Sequence, residues 1–188
     1  ATQPSNMATT QEEVAPSNAR GIPKANFIEN LDEFMAHQES ADAALRNMQE
    51  VYSKFKFMES QLTKNKKELK TKIPDIKTTL EGVKYLAANK DKEEPIETHF
   101  ELSDAIYGLA KVKPSTVCLW LGANVMVEYS FDEAIALLTK NLTSAETNLN
   151  NYEEDLAYLK DQITTTEVNI ARVYNHDVKQ RRKKREAQ

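Results

Sequence analysis

The stretch IALLTKNLTSAETNLNNYEEDLAYLKDQITTTEVNIARV, from Ile135 to Val173, decides the fold. Taken in threes and fours it gives Ile135, Leu138, Leu142, Ala145, Leu149, Tyr152, Leu156, Leu159, Ile163, Thr166, Ile170 and Val173. Eleven of these twelve are apolar and only Thr166 interrupts. No Gly or Pro occurs from Ser130 to the C-terminus. A 3.5-residue apolar period held this long marks a coiled-coil helix, whose seam another helix must cover. At 1.5 Å per residue such a helix is about 60 Å long.

A cover is present in the same chain. Ser40 suits an N-cap, and from there one heptad position reads Met48, Phe55, Leu62, Leu69, Ile76 and Val83. The other reads Leu45, Tyr52, Glu59, Lys66, Ile73, Leu80 and Ala87, so a second arm runs over about 41–88. Polar residues at Glu59 and Lys66 weaken packing but fix register and partner. Pro74 removes a backbone donor, at about 3 kcal/mol in a helix interior. The period nevertheless resumes in phase at Ile76, Leu80 and Val83, which predicts a kinked but continuous helix. Two seams of matched length about a central region predict an antiparallel hairpin. Ala87 then lies near Phe131, Leu69 near Leu149 and Leu45 near Val173. A parallel dimer of two chains is the alternative, and the equal spacing about the centre disfavours it.

Between the arms the period changes from helical to alternating. Ile96, Thr98, Phe100 and Leu102 alternate with polar residues, Ile106–Val112 is a second β-prone run, and Lys113–Thr116 is a turn. Val117, Leu119 and Leu121 share one face of a third strand, with Cys118 and Trp120 on the other. Gly122-Ala123-Asn124 turns the chain into Val125, Val127 and Tyr129. Ser130-Phe131-Asp132-Glu133 is a capping box that starts the long helix. Four short strands at 96–130, apolar on both faces, are too few to close a barrel and leave exposed edges. They call for strands from other subunits. The expected fold is α+β: a long antiparallel coiled-coil hairpin with two central β-hairpins that complete a β-barrel body with other subunits.

Residues 1–20 are small and polar without periodicity and are expected to be disordered. Phe27, Ile28, Leu31, Phe34 and Met35 fall at helical spacing, which predicts a short amphipathic helix folded back on an arm. A movable partner-binding peptide is the other reading. Residues 179–188 form a basic tail of charge +5. The whole chain sums to −4 and residues 1–178 therefore to −9, a balance unlike a nucleic-acid-binding domain. The basic run Arg181–Arg185 also has the form of a nuclear-import signal or a polyanion-binding patch, although such runs are more often a solvated helix end. One cysteine excludes an intrachain disulfide, and no apolar run reaches membrane-spanning length. A soluble intracellular protein is expected, with no membrane and no nucleic acid among its partners.

No enzyme motif stands out. His37, His99 and His176 lie in separate elements, and no HExxH, CxxC, GxxxxGK[ST] or GxSxG spacing occurs. Neither a catalytic residue, a metal site nor a cofactor is expected. Glu153-Glu154-Asp155 reads as a solvated helix face.

Several stretches carry a resemblance to a known family. They are Gly21-Ile22-Pro23 with Phe27 and Phe34-Met35, YSKFKFM (52–58), Ile73-Pro74-Asp75-Ile76, VCLWLGANVMV (117–127) and TTTEVNIARVY (164–174). Over about residues 21–178 the chain resembles the α-class subunits of prefoldin, which carry two hairpins where β-class subunits carry one. The resemblance implies a cytosolic hetero-hexamer of two α-class and four β-class subunits with a double β-barrel body. Such a complex captures unfolded actin and tubulin without nucleotide and passes them to the cytosolic group II chaperonin.

In that frame the arms' free ends are the working surface. Val51, Tyr52, Phe55, Phe57, Met58, Val173 and Tyr174 are the candidate client contacts, because apolar residues there exceed what one seam needs. Phe100, Leu102, Leu109, Leu119, Trp120, Leu121, Val125 and Val127 are the candidate assembly residues. A structural coiled-coil scaffold that binds one fixed partner is the alternative function.

Overall fold

The computed structural model describes residues 18–186. The elements in order are α1 (Leu31–Ala36), α2 (Ala41–Ala88), β1 (Ile96–Ser103), β2 (Ile106–Val112), β3 (Val117–Gly122), β4 (Val125–Tyr129) and α3 (Phe131–Glu186). The chain divides into two compact units. One comprises residues 63–153, and the other comprises the described residues 18–62 and 154–186.

In the unit of residues 63–153, the end of α2 meets the start of α3. Leu80, Val83, Phe131, Ala134 and Leu138 form its buried core, with Ile76, Ala87, Ile135 and Leu142 packed around them. Lys66 pairs with Glu153 at 3.1 Å and Lys77 with Glu146 at 2.8 Å. Numbers rise along α2 as they fall along α3, so the helices run antiparallel. The polar seam position Lys66 is thus satisfied within the chain. Helix α2 is unbroken through Pro74. Helix α3 opens as its sequence requires: Ser130 N–H donates to Glu133 Oε2 at 3.2 Å, and Glu133 N–H donates back to Ser130 Oγ at 3.4 Å.

The strands make two separate antiparallel hairpins, β1–β2 and β3–β4. In the first, Phe100 lies opposite Gly108. A Cβ on Gly108 would stand 3.1 Å from the Phe100 ring, so a larger residue there would make the ring give way by a few tenths of an ångström. No residue of β1 or β2 is buried. In the second hairpin, Val117, Leu119 and Tyr129 turn one face onto the helical core. Trp120, paired with Met126, stands on the other face and is 65 % exposed.

In the other unit, Phe55 packs on Leu159 and Ile163. Tyr52 faces Glu167, and Asp42 faces Arg181. The pairing is again antiparallel. Ser40 caps α2 by accepting from Ala43 N–H at 3.1 Å.

Three expectations are corrected here. The disorder read over 1–20 falls, for residues 1–17, outside the described residues. Asn18 and Arg20, by contrast, are held by Asp155 at 2.9 and 2.7 Å. The helix read from Phe27 begins only at Leu31, because Asn30 caps it by accepting from the Asp32 and Glu33 N–H groups. The basic tail is not separate either, since residues 179–186 continue α3. Nothing breaks the helix there, and cations in its last turn favour its negative pole. Arg181 also pairs with Asp177 at 2.7 Å, and Arg182 with Glu186 at 2.8 Å.

Candidate functional site

The unit that holds the ends of both arms is built around a strap, residues 18–30, laid along α3. Its path starts in the sequence. Gly21 takes a φ of +84°, and the Asn18 side chain accepts from Arg20 and Ile22 N–H to close a tight loop. Pro23 then holds Ile22 extended, and Ile22 buries its side chain against Phe55, Leu159 and Ile163.

From there the strap is held mostly by its backbone. Ala25 N–H donates to Gln162 Oε1 at 2.8 Å. Ile28 N–H donates to Asn169 Oδ1 at 3.1 Å, and Asn169 Nδ2 donates to the Asn26 carbonyl at 2.8 Å. Arg172 donates to the Ile28 and Glu29 carbonyls and stacks its guanidinium 4.6 Å from the Phe27 ring centroid. His176 reaches Asp32 at 2.8 Å. The residues that receive the strap and the first turn of α1, Asp155, Gln162, Asn169 and His176, recur every seven positions along α3. They form a polar ladder beside the apolar seam. Asp155, Gln162 and Asn169 are buried, and every buried polar side-chain atom among the described residues has a partner.

This ladder is what the sequence reading missed. Glu153 and Glu154 are exposed as the solvated face requires, but Asp155 is not part of it: Arg20 bridges Glu154 and Asp155 at 2.9 and 2.7 Å, and Asp155 is buried beneath the strap. The available signal was four polar residues, Asp155, Gln162, Asn169 and His176, in one heptad position.

The predicted contact residues separate into two groups. Phe55 and Val173, 1 % and 0 % exposed, are core and leave the surface set. They sit on the inner side of the seam, where packing consumes them. Tyr52 is half-buried and its hydroxyl donates to Glu167 Oε1 at 2.9 Å. That bond, with desolvation second, raises the phenol above its ordinary value. Met58 packs at the margin of the Phe55 cluster. Val51, Phe57 and Tyr174 are exposed, Phe57 by 65 %.

Val51, Phe57 and Met58 line a groove of about 840 Å³ whose opposite wall is Pro23 and Lys24 of the strap. An adjoining groove of about 550 Å³ is lined by Phe27, Ile28, Phe34, Met48 and Val51. Together they make an open apolar channel between strap and α2. Charges line it sparsely, and Glu50 and Lys54 on its edge neutralise each other at 2.7 Å. Such a surface can hold apolar side chains without demanding a particular polar partner.

Of the candidate assembly residues, Phe100, Leu102, Leu109, Trp120, Leu121 and Val125 are exposed. Leu119 and Val127 are half-buried, and Leu119 belongs partly to the chain's own core. Among the described residues no helix is long and apolar enough to cross a membrane, and no His, Cys, Asp and Glu group could hold a metal ion.

Comparison with known proteins places these features in a wider group. The family profile described as Prefoldin subunit matches residues 55–176. A human protein named Prefoldin subunit 3 is 53 % identical over 178 residues, covering 91 % of this chain and 90 % of its own length. The Saccharomyces cerevisiae protein of that name is 42 % identical, covering 91 % of each. A chain of filamentous PFD from Methanocaldococcus jannaschii aligns over 62 % of this chain and 94 % of its own, at 20 % identity and a TM-score of 0.48.

Proposed function

The chain belongs to the prefoldin subunit family, and from that premise we propose that it is an α-class subunit of a hetero-hexameric, ATP-independent holdase. In this reading the two hairpins join strands from one further α-class and four β-class subunits to close β-barrels. The arm ends capture unfolded chains, actin and tubulin among them, and deliver them to the cytosolic group II chaperonin. The work is done in the cytoplasm, and the basic end of α3 offers a route to the nucleus. No step is catalytic and no cofactor is used.

The observation that carries the reading is the apolar channel of Val51, Phe57 and Met58 against the strap. A closed coiled coil that served only as a scaffold would leave no such excess. The exposed apolar faces of both hairpins support the assembly half of the proposal. A buried Val, Phe or Met side chain gains about 1.5–3 kcal/mol, so a few weak contacts suffice to hold a chain reversibly.

The test is suppression of aggregation of a denatured protein by the assembled complex without ATP. Replacing Val51, Phe57, Met58 and Tyr174 together by Ser should weaken suppression while size-exclusion chromatography shows intact assembly. Unchanged suppression would remove the channel from the mechanism. Binding of one folded partner with no effect on denatured proteins would favour the scaffold.

A further inference from the structure

The strap lies on α3 as an extended chain segment from another molecule would. One side chain, Ile22, is buried in the Phe55, Leu159 and Ile163 cluster, and Ala25 packs at its margin. Asn18 and Arg20 add side-chain contacts to Asp155 and Glu154, and Phe27 stacks on Arg172. Between these anchors α3 grips the strap by main-chain groups. Gln162 accepts from an N–H, Asn169 both accepts from an N–H and donates to a carbonyl, and Arg172 donates to two carbonyls. Main-chain groups are the same in every polypeptide, so this part of the grip does not depend on the sequence of the segment held. Among the described residues the strap's own backbone bonds close one tight loop, at Asn18, Gly21 and Ile22, and no helix runs through residues 18–29.

We propose that the strap is a built-in stand-in for an unfolded client. A client segment in extended form, with an apolar residue followed three and six positions later by small or apolar ones, as in Ile22, Ala25 and Ile28, binds the same ladder after displacing the strap. This rests on the holdase reading above and adds the mode of binding. Amide side chains at heptad spacing supply tolerance of sequence, and the Phe55 cluster supplies the apolar pocket. Phe55, buried while the strap is docked, becomes a client contact once it leaves. The strap also sets the affinity, because a site open only a fraction of the time binds its ligand more weakly by that fraction. Weak capture of this kind permits release without nucleotide.

The experiment uses the assembled complex with the full chain and two fluorescent probes. One is a synthetic peptide of residues 18–36, and the other is reduced, carboxymethylated lactalbumin, which stays unfolded. Ile22→Ser with Phe27→Ser loosens the strap, and both probes should then bind about ten-fold more tightly than to the unmodified complex. Adding Gln162→Ala and Asn169→Ala should cancel that gain. Unchanged or weaker binding on loosening would overturn the proposal, since the strap would then be a wall of the site or irrelevant to it. Simultaneous binding of both probes without competition would also overturn it. If Val51→Ser with Phe57→Ser weakens lactalbumin binding while loosening the strap does nothing, the holdase reading stands and the stand-in fails. If neither probe binds any version, both fail.

Discussion

Asn169 and Phe57 show how little a residue's type reveals of its task. Asn169 is polar yet 5 % exposed, and its amide satisfies one donor and one acceptor of the strap. Asn169→Ala leaves those strap groups to find water and should cost about 1–3 kcal/mol locally. The effect should appear as faster amide exchange at Asn26–Ile28 and easier proteolysis before Leu31, with far-UV circular dichroism unchanged. Phe57 is aromatic yet mostly exposed. Phe57→Ala should alter stability by no more than about 0.5 kcal/mol and still reduce holding of denatured protein. Its near neighbour Phe55 is the opposite case. Phe55→Ala should cost about 3–5 kcal/mol, read as a lowered urea midpoint, because Ile22, Leu159 and Ile163 would all lose their packing partner.

At the scale of elements, the start of α3 and the first hairpin make separate tests. The Ser130 side chain and backbone hydrogen bonds hold the Glu133 carboxylate below its ordinary value. A lowered folded pKa means that the capping box contributes stability above the ordinary glutamate value of 4.5 and loses it as pH falls through the depressed one. Thermal scans across that acid range should show a steeper loss for the natural chain than for Ser130→Ala. Equal slopes would mean that the box is not a stabilising feature. In β1–β2, Gly108→Val must push the Phe100 ring aside, because its Cβ would arrive 3.1 Å from it. Helix content should stay constant while assembly with partner subunits weakens, measured by analytical ultracentrifugation. Both elements were legible beforehand. The capping box is a local code four residues long, and the strands announce themselves by alternation. The end of α3 was less so, because a run of cations reads equally as a tail or as a helix terminus.

For the molecule as a whole, the unresolved cost is the apolar surface of the hairpins. Trp120 is the one tryptophan in the chain and is 65 % exposed. Its emission should therefore lie far to the red in the isolated chain and shift to the blue when the other subunits cover β3–β4. No shift on assembly would exclude that face from the interface. The isolated chain is expected to self-associate, since patches of this kind are seldom left bare on a monomer. Most of the architecture followed from pattern: both seams, the antiparallel register through Lys66–Glu153 and Lys77–Glu146, and the paired strands.

By itself, then, the sequence determined which faces of its helices are apolar and where helix gives way to strand. Those properties are periodic and local, and a period survives without knowledge of the fold. Only the tertiary structure decided what lies on each face. It buried Phe55 and Val173 and left Phe57 and Tyr174 outside. It also bent an aperiodic segment onto Asp155, Gln162, Asn169 and His176. At Gln162 and Asn169 that contact joins an extended backbone to side chains more than a hundred residues away. A backbone group leaves no mark in sequence, so the strap and its ladder become visible only once the chain has closed on itself.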